Sequence, residues 1–348
     1  MRCSAGVVEL VLGDQHTMVR KTDDSVWGVG FALTGDGTCF AKLIASQAVA
    51  AAAGTGYSMV IKRDGSVWAT GTNRNGQLGD GTRVSKNAFF FVQMIPGAKA
   101  VAAGGFHTMV LSQGGCVWAV GSNKYGQICG GESLQRTRFS VVVPLAAKAV
   151  TAGEFHSIVL KQGGSVWAAG RNNRGQVGDG SKADARALVR VMYAGAVVVA
   201  AGGYHSMVVK EDGSVWATGS NEYGQLGDGS ATDRVIYVQV VSGGAKTVAG
   251  GKHHSMMLKQ DGSVWATGYN MYGQLGDGSE TNNEVFVKVI ASDTSIIDAG
   301  AFHSMALKQD ASLWATGSNL YGQLGNGSTK SEKTFVRIIP FAKGVART

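Results

Sequence analysis

Histidine is the residue type whose spacing most suggests chemistry. Six copies of the pattern Gly-x-x-His-(Ser/Thr) occur, and a tyrosine, Tyr57, takes the place of histidine in a seventh. The six are His16, His107, His156, His205, His254 and His303. Metal ligands must lie within about 2–2.6 Å of one ion, whereas copies of one position in separate repeats lie far apart. We therefore expect these histidines to satisfy backbone groups at strand starts. His253, which precedes His254, lies outside the repeated pattern. This pair alone suggests an exposed metal contact.

Aspartates in repeated Gly-Asp-Gly stretches are the second candidates. They are Asp36, Asp80, Asp179, Asp228 and Asp277. A calcium loop needs several oxygen ligands at alternating spacing, and each stretch supplies one carboxylate between glycines, so a turn is favoured. The Ser or Thr beside each His would point to the opposite face of a strand, which argues against a nucleophile–base pair. The sequence thus predicts no catalytic residue, no metal site and no cofactor, and the protein is expected not to be an enzyme.

The tryptophans define the elements that carry these residues. All seven follow Val or Leu, at spacings of 41, 50, 49, 49, 49 and 49 residues. They are Trp27, Trp68, Trp118, Trp167, Trp216, Trp265 and Trp314. A fixed period of this length indicates one supersecondary unit used repeatedly, so residues 1–348 are predicted to form one domain.

One unit, residues 197–245, predicts four strands. "VVVAAGG" and "YHSMVVK" are the first two, and a tight "EDG" turn leads into "SVWATG". The long loop "SNEYGQLGDGSATD" then leads to the fourth strand, "RVIYVQVV". A lone four-stranded sheet leaves both faces uncovered, whereas seven can cover one another radially. The prediction is an all-β, seven-bladed β-propeller of four-stranded antiparallel blades. We expect N- and C-terminal strands to close the ring, with 334–345 pairing with the segment around 6–19.

The repeated motif resembles a known family. Gly-x-x-His-(Ser/Thr), Asp-Gly-Ser-Val-Trp and Gly-x-Asn-x-x-Gly-Gln-Leu-Gly-Asp-Gly are similar to the regulator of chromosome condensation repeat, in the group called alpha-tubulin-suppressor-like proteins. The resemblance covers almost the whole chain and implies a seven-bladed propeller.

The glycine-rich loop after the third strand recurs in six units, where its glycines supply positive φ and close backbone approach. Its Asn is expected to bond nearby backbone, and the side-chain amide of its Gln to tie adjacent blades together. The first unit, "WGVGFALTGDGTCF", loses three residues and should form a less regular blade.

Composition limits the kind of partner. The formal net charge is +8, and residues 1–190 hold most of the excess, which favours an acidic partner. No long basic run or zinc signature is present, so nucleic acid is not expected. No 18-residue apolar span and no signal peptide occur, so we expect no membrane association. The four cysteines fit free thiols in a reducing compartment, the cytoplasm or alternatively the nucleus. A monomer is expected.

Two variable sets within the repeat are candidate protein-binding positions at a rim of the ring. One precedes the repeated His, where aromatic residues could anchor a partner or pack between blades. It comprises Phe106, Phe155, Tyr204, His253 and Phe302. The other follows the loop Asn and changes from basic to apolar along the chain. It comprises Arg74, Lys124, Tyr125, Arg174, Tyr223, Tyr272 and Tyr321.

The function predicted is a non-catalytic scaffold that presents loop rims to a protein partner. The resemblance implies an alternative, guanine-nucleotide exchange on a Ran-like small GTPase. That activity would use a β-wedge inserted in one blade, for which the regular Trp spacing leaves no room. A third alternative is a secreted inhibitor like the bacterial β-lactamase inhibitor with this type of propeller.

Overall fold

Seven four-stranded sheets make up the fold. The computed structural model describes residues 6–31, 37–131 and 133–338. Every regular element within these ranges is a β-strand. Each sheet uses four consecutive strands in chain order, and all neighbours run antiparallel. This confirms the all-β, seven-bladed β-propeller with four-stranded antiparallel blades.

The first three blades are bounded as follows. Blade 1 comprises β1 (Val7–Leu12), β2 (His16–Lys21), β3 (Val26–Gly30) and β4 (Ala41–Ile44). Blade 2 comprises β5 (Ala48–Ala53), β6 (Tyr57–Lys62), β7 (Ser66–Gly71) and β8 (Lys86–Met94). Blade 3 comprises β9 (Ala98–Ala103), β10 (His107–Ser112), β11 (Val117–Ser122) and β12 (Gln135–Val143).

The remaining four blades repeat the same order. Blade 4 comprises β13 (Ala147–Ala152), β14 (His156–Lys161), β15 (Val166–Gly170) and β16 (Ala185–Met192). Blade 5 comprises β17 (Ala196–Ala201), β18 (His205–Lys210), β19 (Val215–Gly219) and β20 (Arg234–Val241). Blade 6 comprises β21 (Ala245–Gly250), β22 (His254–Lys259), β23 (Val264–Gly268) and β24 (Asn283–Ile290). Blade 7 comprises β25 (Thr294–Ala299), β26 (His303–Lys308), β27 (Leu313–Gly317) and β28 (Glu332–Ile338).

The position of each strand follows from its residues. First strands such as β17, "AVVVAA", are rich in small side chains and lie innermost, where neighbouring blades crowd together. Gly213, with φ of 75°, allows the tight turn between β18 and β19. Blade 1 is the least regular, because its fourth strand has only four residues. Its residues 32–36 lie outside the described ranges.

Hydrophobic cores lie between blades. One core joins Met207 and Leu226 of blade 5 to Val248 and Met257 of blade 6, and Trp265 packs against it. Each tryptophan likewise packs on the core of the preceding blade. The tryptophans therefore hold neighbouring blades together.

A ring of buried side-chain hydrogen bonds connects all seven blades. His205 Nε2 lies 2.8 Å from Ser255 Oγ of the next blade, and this hydroxyl donates to the main-chain oxygen of Gln225 at 2.7 Å. Because the hydroxyl proton goes to Gln225, Nε2 of His205 must donate its own. The equivalent pairs are His16–Ser58, His107–Ser157, His156–Ser206, His254–Ser304 and His303–Thr17. In blade 2, Tyr57 takes the histidine's place and bonds the hydroxyl of Thr108 at 3.1 Å.

These histidines are held neutral. Burial lowers their pKa from 6.5 to about 4 at His16 and about 3 at His205. The expectation that they satisfy backbone groups is correct only indirectly, since the neighbouring blade's hydroxyl stands between each imidazole and the carbonyl. Through these hydrogen bonds the histidines join neighbouring blades.

The long loop also fastens each blade to the next. Asn221 accepts the N–H of Leu226 and donates to Asp228, as expected of a loop-organising Asn. Gly229 donates its N–H to the main-chain oxygen of Glu284 in the following blade. The prediction for glutamine was wrong, because the side-chain oxygen of Gln225 accepts from Tyr223 within its own loop. The main-chain carbonyl of the glutamine, rather than its amide, reaches the next blade.

Blades 7 and 1 close the ring by face-to-face packing. Thr17 of blade 1 lies 2.9 Å from His303 Nε2 and donates to the main-chain oxygen of Gln323. Leu12 N–H also donates to a half-buried carboxylate of blade 7, Asp298, at 2.8 Å. The expected pairing of 334–345 with 6–19 was wrong for the described residues, because β28 pairs with β27 and β1 with β2. Each blade is one contiguous stretch of chain, so no blade has to share strands; residues 339–345 lie outside the described ranges.

Candidate protein-binding face

The two ends of the ring carry different connections. The first and third strands of every blade run toward one end, which we call the loop face. It carries the short turns before the repeated His and the long glycine-rich loops. The opposite end, the turn face, carries the turns between second and third strands and the links between blades.

An arc of aromatic rings runs along the loop face. The aromatic arc comprises Phe106, Phe155, Tyr204, His253 and Phe302, one from each of blades 3 to 7. Phe106 stacks on Phe155 with ring centroids 5.1 Å apart, and Tyr204 on His253 at 5.7 Å. Phe155–Tyr204 and His253–Phe302 are tilted contacts at 6.4 and 6.5 Å. The first predicted set is therefore one continuous surface feature.

The second predicted set joins the same surface. Three of the four long-loop tyrosines make a T-shaped contact with the arc residue of the next blade. The ring pairs are Tyr125–Phe155 at 5.5 Å, Tyr223–His253 at 5.3 Å and Tyr272–Phe302 at 5.4 Å. Of the two alternatives for these aromatics, packing between blades is confirmed by the ring contacts. The arc rings are still only half-buried, and their role as anchors for a partner stays a prediction.

Blades 6 and 7 present the apolar end of this face. Met271 and Leu320 are each 64% exposed, and Tyr272 and Tyr321 are exposed beside them. Tyr321 also contacts Phe31 of blade 1, with ring centroids 5.5 Å apart. Large exposed apolar side chains on adjacent loops are typical of interaction sites.

Blades 2 to 4 present the basic end. Arg74 and Lys124 are exposed, and the Nζ of Lys124 lies 5.3 Å from the ring of Tyr125. Arg174 reaches carboxylates of blade 5 instead, 3.3 Å from Asp233 and 3.5 Å from Glu222. Exposed ion pairs of this kind contribute little to stability, so Arg174 remains available to a partner.

The centre of the loop face holds an ion pair between non-adjacent blades. Lys252 Nζ of blade 6 lies 3.3 Å from Glu154 Oε2 of blade 4. Burial, together with Glu154, raises the pKa of Tyr204 to about 12. Burial lowers the pKa of His253 to about 4, and Lys252 and Arg174 add to that shift. The arc is therefore uncharged at neutral pH, while its inner border carries a paired charge.

His253 and His254 lie in different surroundings, which does not favour a metal ion shared by the two. His254 is buried against Ser304, whereas His253 lies in the aromatic arc. Within the described residues no cluster of three or more His, Cys, Asp or Glu is arranged to hold a metal ion. The same part of the chain contains no helix of the length and apolarity needed to span a membrane.

Sequence reasoning missed two members of this face. Tyr269 contacts Tyr223 at 4.9 Å and Phe302 at 6.1 Å. The Arg171 guanidinium lies 5.1 Å from the ring of Tyr125 and 5.4 Å from that of Phe155. Both precede the loop Asn, a position that is Thr or Ser in the other repeats with this loop. That departure from a small residue was the available signal.

The architecture defines a repeat propeller, and comparison gives its family. The model of the RCC1-like domain matches residues 41–347, so the chain belongs to the RCC1-like family. No curated protein matches the chain.

Solved structures share the fold at low identity. Human WBSCR16 is 22% identical with a TM-score of 0.79, and the match covers 87% of this chain and 84% of WBSCR16. Prp20p of Saccharomyces cerevisiae, described with its binding to Gsp1p and histones, is 21% identical with a TM-score of 0.76, covering 88% of this chain and 84% of its own. The CRINKLY ectodomain of the Arabidopsis thaliana receptor kinase ACR4 is 16% identical with a TM-score of 0.53, covering 90% and 96%.

Proposed function

We propose that this protein is a non-catalytic scaffold whose loop face binds a protein partner. The observation that carries the proposal is the aromatic arc, in which rings from five blades contact one another and stay half-open to solvent. Rigid aromatic residues bury large area at low entropic cost, which is why they dominate binding energy at protein interfaces.

The backbone of each arc residue is held in place by the buried hydrogen bonds between blades. Each arc residue is followed immediately by the residue of the buried interblade ring, such as His205 after Tyr204. A side chain fixed at its base loses little further freedom on binding, so more of its contact energy appears as affinity. The loop face is thus preorganised for a partner of complementary shape.

Site-specific photo-crosslinking in the native cell tests the proposal. A photoreactive residue replaces Tyr272 or Tyr321 on the loop face, and Val285 on the outer fourth strand of blade 6 is the matched exposed control. We expect a discrete protein adduct from the two loop-face positions alone. Adducts of equal yield from all three positions, or none from any, would contradict the proposal.

Nucleotide exchange is the alternative activity. Prp20p, which is described as binding Gsp1p, supports its consideration, although a 21% identical structure establishes the fold alone. A release assay with labelled GDP on a Ran-type GTPase separates the two. We expect no acceleration, whereas a clear increase in release rate would replace the scaffold assignment.

The proposal also includes a cellular location. Cys39, Cys116 and Cys129 are free thiols, which suits the reducing cytoplasm or nucleus. Fractionation of native cells, with the nuclear pool measured separately, checks this assignment.

A further inference from the structure

The turn face carries a second surface, separate from the loop face, where blades 3 and 4 lack the acidic residues of the other blades. In five blades the turn between second and third strands contains an Asp that caps the following backbone. These are Asp23, Asp64, Asp212, Asp261 and Asp310. Blades 3 and 4 have Gly114 and Gly163 at this position.

The segments around these two turns form one continuous surface. Backbone hydrogen bonds run from Gln113 to Gly97, from Ala147 to Gly115, from Gln162 to Ala146 and from Ala196 to Gly164. The segments joined in this way are 94–99, 112–116, 143–148, 161–165 and 190–196, and none contains Asp or Glu. Carboxylates border the two ends of this surface: Ile95 N–H donates to Gly65, next to Asp64, and Glu211 N–H donates to Gly195. Between these two borders the surface is therefore free of carboxylates of its own.

Four cations lie on this surface. Lys99 and Lys148 are exposed, and each is the unpaired extra residue where the register shifts near the start of an innermost strand. Such a bulge redirects a side chain out of the sheet. Lys161 and Arg190 lie over the ring of Trp167, at 4.1 and 5.8 Å. In the described ranges none of the four is in an ion pair.

Apolar groups lie among the cations. Tyr193 is 76% exposed, with the Arg190 guanidinium 4.0 Å from its ring. Leu145, in the link between blades 3 and 4, is 64% exposed. We call Lys99, Lys148, Lys161, Arg190, Leu145 and Tyr193 the turn-face patch.

We propose that the turn-face patch binds an acidic protein segment that also carries apolar side chains. Unpaired cations attract carboxylates, and the exposed leucine and tyrosine offer contacts that a phosphate backbone would not use. A nucleic-acid surface is expected to be more uniformly polar and positive. This proposal does not depend on the loop face, so either can fail alone.

Binding of a labelled peptide with alternating Glu and Leu, measured by fluorescence anisotropy, tests the proposal. Wild type is expected to bind this peptide, and not its Gln–Leu counterpart. Lys99→Glu with Lys148→Glu should weaken binding about tenfold or more, because two attractive charges become repulsive. Lys246→Glu in blade 6 is the control, since it occupies the same bulge position in a blade whose turn retains Asp261.

A single substitution sharpens the test. A Cβ added at Gly114 meets no atom within 4 Å, so Gly114→Asp restores the usual turn residue without steric conflict. We expect it to weaken peptide binding several-fold, whereas the isosteric Gly114→Asn should bind as wild type does. Equal binding by all variants, no binding by wild type, or tighter binding of a duplex oligonucleotide of equal charge would overturn the proposal. Loss of a loop-face adduct alone would leave it intact.

Discussion

Residues of the blade interfaces and of the loop face are adjacent in sequence. The interface residues stay nearly the same from one repeat to the next, whereas the loop-face residues change. At the interface of blades 5 and 6, His205 bonds Ser255, and one blade earlier His156 bonds Ser206 in the same way. On the loop face the residue before each histidine changes from Phe155 to Tyr204. In the long loop, the position two residues after the Asn changes from basic Arg174 in blade 4 to Tyr223 in blade 5.

Conservation of the interface residues between repeats reflects a constraint from the fold. A buried bond between blades must be made at every interface, because each unpaired polar group would cost its full desolvation. The fold fixes only the backbone of an arc residue, because its aromatic side chain partly faces solvent. The type of side chain can therefore be adapted to a partner.

The largest effect should come from acid. Each histidine whose folded pKa is about 3, against 6.5 when unfolded, binds its proton preferentially in the unfolded chain. Stability is therefore complete above pH 6.5 and falls below it by about 1.4 kcal/mol per pH unit for each such histidine. Urea unfolding followed by tryptophan fluorescence should show a steep loss between pH 6.5 and 4.

Asp298 has the opposite effect on the pH dependence of stability. Burial raises its pKa to about 7, so its contribution to stability increases as pH falls through that value. One carboxyl cannot offset six histidines of the ring. A free energy of unfolding that stays constant from pH 7 to pH 4.5 would show that the imidazoles are not neutral bonding partners.

A steric test of the interface comes next in size. Gly227 has φ of 76°, and a Cβ there would lie 2.6 Å from the ring of Phe286 in the next blade. Gly227→Ala is expected to cost about 3 kcal/mol or more, from left-handed strain plus overpacking. Gly229, with φ of 77°, has only Val285 nearby at 3.8 Å. Gly229→Ala should cost only the strain, about 1 kcal/mol, by chemical denaturation. Equal costs would refute the close approach of loop and blade.

Removal of one ring hydroxyl is expected to have a smaller effect. Ser255→Ala leaves His205 Nε2–H and the Gln225 carbonyl unpaired in a buried site, which should cost about 2–3 kcal/mol. The exposed Ser242 in the link between blades is the control, and Ser242→Ala should change stability by less than about 0.5 kcal/mol. Comparable values for both variants would show that the ring of buried hydrogen bonds does not stabilise the fold.

The smallest effect on stability is expected on the loop face. Met271→Ser with Leu320→Ser should change the free energy of unfolding by less than about 0.5 kcal/mol, because both side chains are largely in solvent. The same pair should abolish the adduct formed at Tyr321. Ile236→Ser with Val285→Ser, on outer strands, is the control and should leave the adduct unchanged. A stability loss as large as that of Ser255→Ala would make these loops structural.

Much of the fold could be predicted because the repeat is regular. The period of the tryptophans gave the number of blades, and the single unit 197–245 gave the strand order that β17 to β20 follow. Ring closure could not be predicted in the same way, because packing between blades leaves no strand-pairing pattern in sequence.

The sequence allowed most residues of the loop face to be predicted, but not the contacts between them. Tyr125 and Phe155 belong to different repeats, and their contact depends on how far each loop leans over the next blade. Periodicity along the chain contains no information about that lateral offset. The same reason explains the error at Gln225, whose main-chain oxygen reaches Ser255 while its amide stays within its own loop.

Hydrogen–deuterium exchange of the complex recovered through the Tyr272 crosslink shows directly whether the aromatic arc is the binding surface. The partner should protect the turns at 104–106, 153–155, 202–204, 251–253 and 300–302, together with the loops at 269–272 and 318–322. Exchange at the fourth strands β20 and β24 should be unchanged. Protection confined to those outer strands, with the loop face exchanging as in the free protein, would contradict the assignment of the aromatic arc as the binding surface.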